Sequence, residues 1–181
     1  MTETRDKIIA LAQEAIATRG YSAFSFRELA AELGIKSASI HYHFPTKTHL
    51  GLEVASSYRA RLERALTRIA VNSQGTKQAL DGFIAIFRQE AAASQRMTVC
   101  TMLGAEIKTL PVEIQQEMAQ FYQLNIGWLS QQFVSSGCSS AQAHAKACQL
   151  FALLQGALMG AKAQQNPEYF DVVIKAIQLL F

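Results

Sequence analysis

At 181 residues the chain is long enough for an ordinary domain plus a small one around a buried core. Half of its residues are apolar and 17% are charged, which excludes a disordered chain and points to a soluble globular protein. The net charge of +3 is unevenly placed: residues 1–71 carry ten Lys and Arg against seven Asp and Glu, whereas residues 72–181 carry seven of each, so a polyanion partner for the first part competes with a merely solvated face.

Strand-like alternation is scarce and runs of Ala, Leu, Glu, Gln and Lys dominate, so the expected class is all-α, with about nine helices. The first helix is expected from Thr4 to Arg19, with Ile8, Leu11, Ala12, Ala15 and Ile16 at helical spacing and Gly20 as its stop. Ser25-Phe-Arg-Glu28 reads as a capping box opening a second helix that ends at Gly34. Ser37 is expected to cap a very short third helix closing before Pro45, and Thr46 to cap a long fourth one reaching Val71. Further helices are expected over Thr76–Ser94, Met97–Lys108, Pro111–Ser136, Ser140–Gln164 and Pro167–Leu180, with Pro111 and Pro167 suiting first-turn positions and Gly137 a helix end. The boundary between functional regions falls at Pro45 or inside the fourth helix, giving domains of 1–48 and 49–181 that share a continuous helix.

The segment 25–44 combines a capped helix, a glycine turn and a second short helix. Leu29, Ala30 and Leu33 give the first of the pair an inward face, Ile35 plugs the space between the two, and Ala30 is small enough for close approach. This is the pattern of a helix-turn-helix, whose second helix enters the major groove. That second helix offers Ser37 and Ser39 as small polar groups and His41, Tyr42 and His43 as aromatic or imidazole groups, with Lys36 and Lys47 as flanking cations.

Arg19-Gly20-Tyr21, Phe26-Arg27-Glu-Leu-Ala, Gly34-Ile35 and Ile40-His41-Tyr42-His43-Phe44-Pro-Thr-Lys47, following Thr4-Arg5-Asp-Lys-Ile-Ile, resemble the TetR/AcrR family over about the first 55 residues. The resemblance implies nine helices, a homodimer, a palindromic double-stranded operator and repression relieved by a small-molecule effector. It implies that Phe26 and Arg27 contact the DNA backbone or a groove edge, that Lys36, Ser37, Ser39, His41, Tyr42 and His43 form the recognition surface, with His41 either a base reader or a packed or phosphate-facing imidazole, and that Lys47 clamps a phosphate. Ile35, Ile40 and Phe44 would be core. Ala38 stands where many relatives have glycine or another small residue facing a base, and His41 replaces a more usual leucine or phenylalanine, so the operator cannot be borrowed from a relative.

In the remaining half, Cys148, Ala152, Gly156 and Gly160 permit close helix approach, Phe151 supplies burial, and Val173 and Ile177 offer a partner face. This suits a four-helix dimer interface, the alternative being a monomer core. An effector cavity is expected among Phe83, Phe87, Met97, Cys100, Leu103, Phe121, Tyr122, Trp128, Gln155 and Met159, which are bulky or adaptable with a few polar handles, although ordinary core would use the same types. Glu106 sits in an apolar run, where it would orient a ligand or bond a neighbouring helix. The stretch Met97–Glu106, with Lys162, resembles a sub-branch that includes electrophile- and oxidant-responsive repressors. There a cysteine often occupies the position of Thr98, and Cys100 lies two residues on, facing elsewhere; it is either a sensing thiol or inert filler.

Other classes find less support. There is no paired acid–base cluster, phosphate-cradling glycine loop or metal-ligand spacing, and His41 and His43, two apart on a helix, point to different faces, so neither an enzyme nor a metal or other cofactor is expected. A helical interaction module that has lost DNA binding is the remaining alternative. The charged start lacks an apolar segment of the secretory kind, the longest apolar stretch is too short to span a bilayer, and three cysteines form no even disulfide set, so no membrane association and a reducing cytoplasm are expected.

Overall fold

The computed structural model describes residues 2–93 and 96–178. Among the described residues nine α-helices and one short 3₁₀ turn account for the regular structure: α1 (Thr2–Arg19), α2 (Phe26–Leu33), α3 (Ser37–His43), α4 (Lys47–Asn72), α5 (Thr76–Ala93), α6 (Val99–Ala105), the turn Ile107–Thr109, α7 (Val112–Ser135), α8 (Ser140–Ala163) and α9 (Glu168–Gln178). No strand occurs among them, so the all-α expectation holds. Ser94 and Leu180, expected as helix ends, lie outside the described residues. No helix among the described residues is long and apolar enough to cross a membrane.

The chain divides into two compact units, Met1–Ala60 with Met97–Gln120 and Arg61–Arg96 with Phe121–Phe181. In the first, α1 buries Ile8, Ala12, Ala15 and Ile16 and packs against α2 and α6, while Phe24, Leu29, Ile40, Phe44 and Leu50 fill the interior. In the second, α8 packs against α5 and α9 around Phe83, Leu129, Leu150, Phe151, Leu154 and Phe170. The α4 helix gives its first half to one unit and its second half to the other, as does α7.

Two helices differ from expectation at their ends, each for a local reason. Ser37 is not the cap of α3: Lys36 holds the N-cap position in extended backbone and makes no side-chain capping bond. The helix expected over 97–108 is shorter, because the Thr98 hydroxyl accepts from the Thr101 N–H at 3.2 Å and starts it late, while the chain tightens into the 3₁₀ turn ahead of Pro111. A capping box at Ser139 and Gln142 opens α8, with the Gln142 side chain accepting from the Ser139 N–H at 3.1 Å. This box fixes the start of α8 at Ser140, the residue at which the sequence places it.

Just past the end of α8, Gln165 has φ at 52°, the left-handed region glycine would favour. The Asn166 N–H reaches Ala161 O at 2.9 Å and the Gln165 N–H reaches Lys162 O at 3.1 Å, so two end carbonyls are satisfied at the cost of a strained side-chain-bearing residue. Replacing Gln165 by glycine keeps both bonds and removes the strain. Gln165→Gly is expected to raise the unfolding free energy by about 1 kcal/mol, measured by urea denaturation at unchanged m-value.

Candidate nucleic-acid interface

The reading head is built from two short helices that neither could maintain alone. The Ser25 hydroxyl accepts from the Glu28 N–H at 3.3 Å while the Glu28 carboxylate accepts from the Ser25 N–H at 2.9 Å, a reciprocal box that fixes where α2 begins. Gly34 ends it with φ at 66°, its N–H bonding Ala31 O at 3.2 Å, while the Ile35 N–H bonds Ala30 O at 3.0 Å. This paired closure lets the chain reverse within a few residues and enter α3 at a fixed angle. Ile40 and Phe44 are buried and pin α3, and the Arg5 guanidinium lies 5.3 Å from the Phe44 ring centre. Ile35, expected as core, is only half-buried, because it also forms the turn.

What α3 leaves outside is polar and aromatic. Tyr42 is 71% exposed, the largest hydrophobic surface on the reading head, and its ring meets His43 edge-on at 5.2 Å. Ala38 and His41 are exposed, Ser37, Ser39 and His43 half-exposed, and Lys36 and Arg27 are exposed beside them. His41 is also packed: its ring stands edge-on to half-buried Phe26 at 4.8 Å, and Nδ1 lies 3.4 Å from Pro45 O. Phe26 thus supports His41 as well as facing outward.

Lys47 is differently engaged from a free phosphate clamp. Its Nζ donates to Ser22 O at 3.2 Å and sits 4.7 Å from the Tyr21 ring centre and 4.6 Å from that of Phe24. Burial pulls its ammonium below the ordinary lysine range, against the opposing pull of the Glu106 and Glu28 carboxylates. Glu106 closes on the same turn: its carboxylate accepts from the Ser22 N–H at 2.9 Å and the Ser22 hydroxyl at 2.6 Å. Of the two roles open to Glu106, the structure fills the bonding one, with a loop rather than a helix as partner. Gly20 is what admits it, since a β-carbon there would collide with the carboxylate oxygen.

The residues expected around an effector fall into two groups. Met97, Cys100, Leu103 and Glu106 belong to the first unit, where Cys100 is buried with its Sγ 3.1 Å from Thr98 Oγ1 and 4.0 Å from the Tyr58 hydroxyl. Phe83, Phe87, Phe121, Tyr122, Trp128, Gln155 and Met159 belong to the second. There Phe83, Phe87, Phe121 and Trp128 cluster with Phe151, whereas Met159 is exposed on α8. Phe151, expected at a dimer interface, is instead core, its ring edge-on to Phe87 at 6.0 Å and Tyr122 at 5.2 Å. Gly160 is likewise spent inside the chain, against the Tyr169 ring. Ala152 and Gly156 are exposed, and Cys148 and Val173 half-exposed. The Ile177 side chain lies outside the described residues. Two polar groups escaped sequence reasoning. Asn125 is fully buried on α7, signalled only by its place between Phe121 and Leu129 on one helix face. The Glu117 carboxylate, paired with Arg59 at 2.5 Å, had no local signal.

The Gly20–Glu106 contact gives a direct test. Gly20→Ala is expected to destabilise the chain by about 2 kcal/mol or more through clash and backbone strain, and Glu106→Ala by about 1 kcal/mol through the lost charged hydrogen bonds. In a double-mutant cycle read by denaturant unfolding, the double variant is expected to be more stable than the sum predicts by at least about 0.5 kcal/mol, because removing the carboxylate removes the clash.

Comparison with known proteins agrees with this geometry. The profile of the bacterial regulatory proteins of the tetR family matches residues 8–54, and that of the LmrA/YxaF-like transcriptional regulator C-terminal domain matches residues 76–176. A TetR transcriptional regulator from Legionella pneumophila is 30% identical, with a TM-score of 0.92 over 98% of this chain and 97% of that one. A TetR-family regulator from Agrobacterium tumefaciens is 26% identical, with a TM-score of 0.89 over 97% and 96%. The reduced form of Escherichia coli NemR, 19% identical with a TM-score of 0.82 over 97% and 95%, shares the fold. No curated protein sequence matches. With one profile on the reading head and the other across most of the remaining helices, the chain belongs to the TetR family of non-enzymatic, DNA-binding transcriptional regulators.

Proposed function

We propose that the protein is a repressor of the cytoplasm that binds a palindromic operator as a homodimer through Tyr42 and its neighbours on α3, and leaves it when the second unit takes up a small molecule. The observation that carries the DNA-reading role is the exposure of Tyr42 at 71% in a seven-residue helix, with exposed Lys36 at the N-cap of that helix and exposed Arg27 on α2. An exposed aromatic ring and exposed cations on one helix pair suit a groove lined with phosphates and base edges. Arg27 and Lys36 would meet phosphates, Ser37, Ala38, Ser39 and His43 would face the groove, and His41 on Phe26 would hold the surface in shape. Lys47 would act mainly by setting the turn before α2.

The dimer is supported by the outer face of α8, where Ala145, Ala152, Gly156, Met159 and Ala163 are exposed at helical spacing, with Val172 and Ala176 exposed on α9. A β-carbon at Gly156 would meet nothing within 4 Å, so this part of α8 has room for a close neighbour. Two copies of α3 held about 34–36 Å apart would match one duplex turn. Release follows if the effector shifts α4, which runs from one unit into the other. Such coupling is reciprocal, so the operator weakens the effector by the factor by which the effector weakens the operator.

Selection from a random duplex pool is expected to enrich inverted repeats, and the absence of such enrichment would sink the proposal. On the selected duplex, Tyr42→Ala is expected to weaken binding about tenfold, and Arg27→Ala or Lys36→Ala to flatten the logarithmic salt slope by about 0.9 each. Gly156→Arg, a fold-compatible change in open space, is expected to sediment as a monomer and lose inverted-repeat preference. A Gly156→Arg protein that remains dimeric would remove α8 from the interface.

A further inference from the structure

Inside the second unit a chain of ring-to-ring contacts leaves and rejoins α7, the helix that carries an unmatched hydrogen-bond acceptor. Trp128 stacks on Phe83 at 5.5 Å and 15°, Phe83 meets Phe87 at 5.4 Å, Phe87 meets Phe151 at 6.0 Å, and Phe151 meets Phe121 at 6.3 Å. The circuit begins and ends on α7, at residues one turn to either side of Asn125. Asn125 is 0% exposed, and its Nδ2 donates to Phe121 O at 2.7 Å. A backbone carbonyl can only accept, so this bond fixes the amide with its Oδ1 turned away from the helix backbone. That oxygen is buried and has no hydrogen-bond partner. A native interior matches nearly all of its buried acceptors, and one left open on the helix that carries Phe121 and Trp128 suits a guest that brings the donor.

The surroundings also restrict the guest's charge. Among the described residues of the second unit the buried charged side chain is Lys162, whose ammonium donates to Ala91 O at 3.2 Å, and no carboxylate is buried there. A cation would have no buried carboxylate to pair with there, and the Lys162 ammonium is already engaged by a backbone carbonyl.

Resting on the effector-binding reading above, we propose that the second unit takes a neutral, flat aromatic molecule carrying an N–H or O–H group, and that Asn125 Oδ1 accepts that hydrogen. The rings supply non-directional burial, and the amide oxygen selects, because an analogue without the donor leaves a buried acceptor unpaired.

Calorimetric titration of the full chain with indole, with benzofuran (the same shape with an acceptor in place of the N–H) and with protonated tryptamine tests this. Indole is expected to bind at least about tenfold more tightly than either of the others. Asn125→Leu, of similar volume and with no acceptor, is expected to bring indole and benzofuran within about threefold, and Asn125→Ala, also without an acceptor, serves if the leucine variant melts early. Equal binding of indole and benzofuran by the native chain, or a preference that survives both substitutions, overturns the role of Asn125 while leaving an aromatic effector site in place. Tryptamine binding as tightly as indole overturns the neutral class. If no probe binds, yet another compound releases the protein from its selected duplex, this inference fails and the repressor reading stands; if nothing releases it, both fail.

Discussion

Two charged side chains converge on the few residues between α1 and α2, and the reading head depends on that closure. Lys47 reaches the Ser22 carbonyl across the faces of Tyr21 and Phe24, and Glu106 takes the Ser22 N–H and hydroxyl. Acceptor and donor groups of the same short turn are thus held by opposite charges from the start of α4 and the end of α6. The turn decides where Ser25 begins α2, α2 decides through Gly34 where α3 begins, and α3 has only Ile40 and the adjoining Phe44 as deep anchors. A recognition helix of seven residues cannot hold its own direction, so direction is inherited along this chain of contacts. Both charges are charge-assisted hydrogen-bonding groups with little freedom, which makes the setting stiff.

The first 50 residues were legible because their signals are local. A capping box, a left-handed glycine and a hydroxyl before a long helix each announce themselves within four positions, and each occurs where the sequence places it. The α6 region was less legible for the same reason reversed: the helix starts at a threonine cap and dissolves into a 3₁₀ turn, features that a smoothed apolar period cannot resolve. Side-chain destinations were hardest. Lys47 and Glu106 carry the charge a ligand or phosphate would want, but their partners lie far along the chain, where no spacing rule reaches. Phe151 and Ala152 are neighbours in sequence and face opposite ways, one into the rings and one to the outside, so a list of small and bulky residues on one helix mixes two surfaces.

That division of α8 is itself informative. Its inner edge carries Leu150, Phe151, Leu154 and Leu158, and its outer edge Ala145, Ala152, Gly156 and Ala163. Large side chains fill a space already closed within one chain, while small ones leave a shallow, featureless strip. The outer edge is poor in charge, with Gln149 as its exposed polar member, so it is not a solvent face of the usual charged kind. In the proposed dimer the strip would take a flat, self-complementary neighbour, whereas the inner edge holds rings that interlock. Asn125 stands on the facing helix as the polar exception within the interlocked side.

The seat that Gly20 provides for Glu106 binds the history of the two positions together. A side chain gained at residue 20 displaces the carboxylate from the Ser22 turn, and once the carboxylate is gone the selective reason for a bare backbone there weakens to the turn's own dihedral demand. Among descendants of this chain the two sites should therefore drift as a pair, with losses of the acid preceding or accompanying changes at the glycine. Such paired substitution would leave a record of this contact in sequences whose structures have never been determined.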